Sequence, residues 1–179
     1  MTGLAREYGE GLYELARDED LGLLITEQMD DIAALLREQP QFIRLLTSRA
    51  VERGQRLQIV EDTFGGHVHP YVTNFMKLLV EKEHFDSILL CCEWVHQRFN
   101  EDNGIVEARV ASAVALTEAQ DAALRAKLSR LAGDKQIKLI SSVDPSLIGG
   151  VRVEMDGRRY DNTIQDRLGR LKRSLTHGL

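Results

Sequence analysis

The sequence predicts a mainly α protein: an N-terminal six-helix bundle over residues 1–104, followed by a small α+β domain over 105–179. Three observations carry this. First, the hydrophobic period changes near residue 105, from three- and four-residue spacing to strict alternation. Second, residues 1–104 hold 10 Lys+Arg against 19 Asp+Glu, a net of −9, whereas residues 105–179 hold 13 against 9, a net of +4. Third, nine of the ten aromatic residues precede residue 105, leaving only Tyr160 behind. The junction is placed in Asn100-Glu101-Asp102-Asn103-Gly104.

Each helix of the first part has its own signal. Leu4, Tyr8, Leu12 and Leu15 mark the first, and Leu21, Leu24, Ile25, Ile32, Leu35 and Leu36 the second, with Asp18 or Asp20 as its expected cap. Pro40 ends that helix and opens a short one bearing Phe42, Ile43, Leu45 and Leu46. Leu57, Val60 and Phe64 mark a fourth, stopped by Gly65-Gly66, where a missing Cβ permits a left-handed turn. Pro70 opens a fifth with Val72, Phe75, Met76 and Leu79, and a sixth runs from about Phe85 to Phe99. Short loops between them imply antiparallel neighbours.

The second part starts as a strand with Val106, Ala108, Val110, Ser112 and Val114 on one face and Glu107 and Arg109 on the other. Thr117-Glu118-Ala119-Gln120 is a capping box, and the helix it opens is expected to bury Leu124, Leu128 and Leu131 and to end at Gly133. Ile137, Leu139, Ser141 and Val143 alternate again. Asp144-Pro145 turns the chain, and Val151, Val153 and Met155 lead to an Asp156-Gly157 hairpin. Ile164, Leu168, Leu171 and Leu175 mark a closing helix.

Composition excludes several functions. The chain is 43% hydrophobic and 28% charged, with no run near the ~20 apolar residues of a membrane span. The opening segment reads as neither signal nor transit peptide, so the expectation is a soluble chain kept in the cytosol. Adjacent Cys91 and Cys92 on a helix point about 100° apart and cannot form an ordinary disulfide; buried reduced thiols are expected. No phosphate-cradling loop, dinucleotide fingerprint or nucleophile elbow occurs. His67 and His69 lie in a Gly/Pro-flanked loop without further ligands nearby, and read as solvated; His84, His96 and His177 stand alone. The carboxylate pairs Asp30-Asp31 and Glu61-Asp62 read as solvated helix faces. Arg167, Arg170, Lys172 and Arg173 form a basic tail. At a pI of about 5.6 without interleaved aromatics, it suits a solvated or protein-docking face better than nucleic acid. The expected protein is no enzyme and binds no cofactor or metal.

A binding module is favoured instead. On the Pro70 helix, Tyr71, Val72, Phe75, Met76, Leu78, Leu79 and Val80 span about 200° of the wheel, roughly twice what one bundle contact needs. The Tyr8 helix is also broad, and Gly9 and Gly11 flank its stripe although each costs about 1 kcal/mol against Ala. A close-packed partner helix accounts for both features; a fully buried central helix accounts for the width as well.

Longer motifs point further. Asn74-Phe75-Met76-Lys77-Leu78-Leu79 followed by Glu81-Lys82-Glu83-His84-Phe85 resembles a stretch of the delta subunits of rotary ATP synthases, whose mitochondrial counterpart is the oligomycin-sensitivity-conferring protein. Val110-Ala111-Ser112-Ala113, Ala115-Leu116-Thr117-Glu118-Ala119-Gln120 and Val143-Asp144-Pro145-Ser146-Leu147-Ile148-Gly149-Gly150-Val151-Arg152-Val153 are similar to that family in order, as is Tyr160-Asp161-Asn162-Thr163 with Leu168 and Leu171. The chain departs from the family pattern at His84 (usually Arg), at Asn162-Thr163 (usually Gly-Ser), and at Gly9 and Gly11 (usually Ala).

The resemblance implies a non-catalytic stator subunit of a proton-translocating ATP synthase, peripheral to the cytoplasmic face of a bacterial plasma membrane and attached only through the complex. It implies that the N-terminal bundle takes the amino-terminal helix of an alpha subunit between its first and fifth helices. The C-terminal domain would contact the far end of the b subunit stalk. Tyr8, Gly11, Leu12, Phe75, Leu78 and Leu79 are the expected groove residues. The alternative is a soluble two-domain adaptor or nucleic-acid-binding regulator working through the basic C-terminal helix.

Overall fold

The computed structural model describes residues 2–133, 135–155, 157–161 and 163–164. The expected closing helix beyond Ile164, the basic tail, His177, Asp156 and Asn162 lie outside the described residues. The protein is mostly helical with a small four-stranded sheet, and it divides into two compact units, Met1–Asp102 and Asn103–Leu179.

The first unit contains α1 (Thr2–Asp18), α2 (Gly22–Glu38), α3 (Pro40–Thr47), α4 (Arg53–Phe64), α5 (Pro70–Glu81), a 3-10 turn (Phe85–Ser87) and α6 (Ile88–Asp102). Pro40 and Pro70 both sit in the first turn, where the missing N–H costs nothing. The α2 cap differs from expectation. Leu21 holds the N-cap position without a side-chain hydrogen bond. Asp20 instead finishes α1 at φ 59: its N–H donates to the Arg17 carbonyl, and Leu21 N–H donates to that of Ala16. This is a Schellman ending, and a short polar Asp tolerates its left-handed residue. Glu83 ends α5 the same way at φ 58, with its N–H on Val80 and His84 N–H on Leu79. After α4 only Gly66 is left-handed, at φ 75. The sixth helix also begins later than its pattern suggests, because Phe85–Ser87 is a 3-10 turn.

The core of this unit joins Leu12, Tyr13, Ile25, Met29, Leu36 and Leu46 to Val72, Met76, Leu79, Phe85, Ile88 and Val95. Each such side chain contributes about 1.5–3 kcal/mol by leaving water. Helix α6 packs on α1 and α2, and α5 packs chiefly on α4. Cys91 and Cys92 are free and buried against this core, and burial pushes both thiols up to about 12. They are inert packing groups at neutral pH.

The second unit holds β1 (Ile105–Ser112), α7 (Glu118–Leu131), β2 (Gln136–Val143), a 3-10 turn (Pro145–Leu147), β3 (Val151–Met155) and β4 (Arg158–Asp161), in the sheet order β2-β1-β3-β4. Helix α7 is the crossover that lets β1 and β2 run parallel; β3 is antiparallel to both β1 and β4. The capping box is present: Gln120 N–H donates to the Thr117 hydroxyl, and Thr117 N–H to the Gln120 side chain. Val106, Ala108, Val110, Val153 and Met155 meet Leu128 in one small core. Three expected core positions are open. Val114 lies past the end of β1 and is 72% exposed; Leu131, in the last turn of α7, is 58% exposed; and Val143, at the end of β2, is 55% exposed. Along β2 the alternation fades from buried Ile137 to exposed Ser141 and Val143.

Candidate functional site

An apolar depression lies between α1 and α5, with a volume of about 640 Å³. It exists because each helix has its main contact elsewhere, α1 on α6 and α5 on α4. The two run in opposite directions. The Tyr71 hydroxyl near the start of α5 donates to Glu19 just past α1 at 2.6 Å, and His84 just past α5 faces the Tyr8 ring at 6.4 Å. Leu12 and Phe75, 5% and 6% exposed, form the floor, with Tyr8, Leu15, Tyr71 and Leu78 on the walls. Polar residues rim it: Glu7, Asn74, Lys77 and Glu81.

Of the six residues expected at a groove, the structure brings Tyr8, Gly11, Leu12, Phe75 and Leu78 to this one depression. Leu79 is fully buried in the core and does not line it. The two glycines separate as well. A Cβ on Gly9 would stand 2.8 Å from Trp94 Cβ and 3.0 Å from the Cys91 carbonyl oxygen, so the close partner of Gly9 is the chain's own α6. A Cβ on Gly11 would meet nothing within 4 Å. Rim residues Glu7, Lys77 and Glu81 were not among the expected groove residues, although each is one or two helical turns from a wall residue or beside one: Glu7-Gly11-Leu15 on one side, Lys77-Glu81 beside Leu78 on the other.

Two further depressions differ in kind. One of about 490 Å³ lies at the carboxyl ends of β1 and β2, lined by Ser112, Leu116, Ser142 and Val143 with Glu118 and Asp121 of α7. Another, of about 330 Å³, is lined by Arg49, Arg56, Glu83 and Asp86. There Arg56, 5% exposed, donates from Nη1 to the Leu46 carbonyl at 3.1 Å and ties α4 to the end of α3. Arg56 shares the buried face of α4 with Val60 and Phe64, and because a charged residue there breaks the apolar stripe, sequence analysis missed it.

Several other titratable groups serve the fold. His69, expected to be solvated, is the N-cap of α5: its Nδ1 accepts from Tyr71 N–H at 3.3 Å, and its own N–H donates to Gln28. Of the expected solvated carboxylates, Asp30 pairs with His96 at 2.6 Å and Glu61 with Lys77 at 2.5 Å. Asp161 accepts from the Thr163 hydroxyl and from Arg152, and these bonds lower its carboxyl to about 2. Among the described residues no group of three or more His, Cys, Asp or Glu could hold a metal ion, and no helix is long and apolar enough to cross a membrane.

Comparison with known proteins places nearly the whole chain in one family. The sequence model of the family described as ATP synthase delta (OSCP) subunit matches residues 4–175. A protein of Lysinibacillus sphaericus named ATP synthase subunit delta is 28% identical over 174 residues, covering 97% of either chain. One of the same name from Halalkalibacterium halodurans is 30% identical over 175 residues, covering 98% of this chain and 96% of its own. Among solved structures, a chain of the Toxoplasma gondii mitochondrial ATP synthase hexamer superposes with a TM-score of 0.72 over 97% of each chain; at 16% identity this shows the fold alone. A family match over nearly the whole chain leaves one assignment: the chain belongs to the ATP synthase delta (OSCP) subunit family, a structural stator subunit and not a catalytic one.

Proposed function

We propose that this chain joins the catalytic head of a bacterial ATP synthase to its peripheral stalk, on the cytoplasmic face of the plasma membrane, and so resists the torque of the rotor. The N-terminal bundle takes the amino-terminal helix of an alpha subunit into the α1/α5 groove, and the C-terminal unit contacts the end of the b subunit. The observation that carries this reading is the groove itself. Its floor and walls are apolar, and the depression lies along the line between two antiparallel helices, where the apolar stripe of a third helix can seat. A stator needs a contact that holds under continuous load. Apolar helix-in-groove burial supplies that, whereas exposed ion pairs contribute about 0–1 kcal/mol each and are screened by salt.

Leu78 tests the reading. It lines the groove and is only half-buried, beside fully buried Leu79. In Leu78→Asp, docking would bury an unpaired carboxylate, which costs several kcal/mol, and about 1.4 kcal/mol is tenfold in affinity. Titration with the alpha amino-terminal peptide is expected to show a loss of orders of magnitude, with the melting temperature only modestly lower. A variant that unfolds would make Leu78 a core residue; one that folds and binds normally would move the binding surface elsewhere.

A further inference from the structure

The groove is not symmetric along its length, and its charge gives it a direction. Because α1 and α5 are antiparallel, Glu7 of α1 and Glu81 of α5 rim the same end, the end where Tyr8 meets His84. Neither carboxylate has a hydrogen bond or ion pair among the described residues. The cations that could neutralise them are engaged or placed elsewhere. Arg6 is bound to Glu10 at 2.9 Å and lies over the Trp94 ring. Lys77 is four residues before Glu81 and correctly spaced to pair with it, but its Nζ is held by Glu61. Lys82 follows Glu81 in sequence and does not line the groove. At the opposite end, Glu19 is occupied by the Tyr71 hydroxyl.

We propose that Glu7 and Glu81 act as an anionic latch for a Lys or Arg side chain of the docked helix, and that this contact fixes which way the helix lies in the groove. The inference rests on the groove reading above and adds the chemistry of the occupant: an amphipathic helix with an apolar stripe and a cationic residue at one end. Apolar contacts alone read a stripe nearly as well in either direction. Two carboxylates confined to one end favour the orientation that brings the cation to them.

The test compares the full-length protein with its Glu7→Gln/Glu81→Gln variant, using two probes of about 20 residues: the alpha amino-terminal peptide, and a copy with every Lys and Arg replaced by Gln. At about 50 mM salt the double variant is expected to bind the native peptide about threefold to tenfold more weakly. The gap should close near 0.5 M salt as screening removes it. The Gln peptide is expected to bind wild type and variant alike, and it supplies the same comparison without altering the protein. Equal affinity of wild type and variant for the native peptide at low salt overturns the latch and leaves the groove reading standing, provided Leu78→Asp still abolishes binding. Failure of unmodified protein to bind the native peptide sinks both.

Discussion

The two units present opposite kinds of surface. In the N-terminal unit, the α1/α5 groove is a gap between helices whose floor is the edge of the hydrophobic core, at Leu12 and Phe75. In the C-terminal unit, α7 covers one face of the sheet, and the other face carries charge in cross-strand register. Glu107 meets Lys138 at 3.2 Å, Arg109 lies opposite Glu154, Glu154 reaches Arg159 at 3.7 Å, and Arg152 holds Asp161 at 3.0 Å. The groove thus owes its shape to packing, which depends little on salt or pH. The charged face owes its order to hydrogen bonds and ion pairs, which depend on both. A surface built for a lasting contact is expected to resemble the first.

The largest expected effect separates core from groove within one helix turn. Leu79→Ala removes a fully buried side chain and is expected to cost about 2–5 kcal/mol, while Leu78→Ala, on the groove wall, is expected to cost under about 1. Urea unfolding of both variants measures the difference. Equal losses would mean that the groove wall is as much core as its floor, and the comparison would fail.

A smaller effect divides the two glycines of α1. Gly9→Ala drives a methyl into Trp94 and the backbone of Cys91, an overpacking cost of about 1–3 kcal/mol against about 1 regained in helix propensity. The expected net is a melting temperature lower by several degrees. Gly11→Ala fills open space and is expected to gain up to about 1 kcal/mol. A thermal melt that ranks the two variants the other way would place the close approach on the wrong face of α1.

The smallest effect belongs to the charged face. The Asp161 carboxyl is lowered to about 2, first by the Thr163 hydroxyl and then by Arg152. A folded value below the ordinary one of about 3.9 stabilises the fold fully above that value, and the contribution is lost as pH falls toward about 2. Asp161→Asn is therefore expected to be less stable than the parent at pH 6 and to converge with it near pH 2. A stability gap independent of pH would assign Asp161 a packing role instead.

Much of this was legible locally. The six helices of the first unit follow from apolar residues at three- and four-residue spacing, and Pro40 and Pro70 mark first turns because no other interior position tolerates them. The Thr117-Gln120 box is a contact within one turn and forms as its spacing requires. Five of the six residues expected at a groove line one depression, in keeping with stripes on α1 and α5 that are wider than one neighbour needs. The cap of α2 was misread because an Asp can start one helix or finish another, and only the chain's path through Asp20 chooses.

What the sequence determined by itself, then, is whatever depends on residues within a turn or a strand: element type, the first turns of α3 and α5 at Pro40 and Pro70, the cap of α7, the inert cysteine pair, and the change of character near residue 105. Tertiary structure decided whatever depends on which surfaces meet. It put Gly9 against α6 and left Gly11 open, took Leu79 into the core and Leu78 to the groove, and turned His69 from a loop residue into a cap. It also ordered the strands β2-β1-β3-β4 and left Val114, Leu131 and Val143 uncovered. The reason is physical: a periodic pattern fixes the direction in which each side chain leaves its own backbone, but burial is a property of the partner surface, and that partner is distant in the chain.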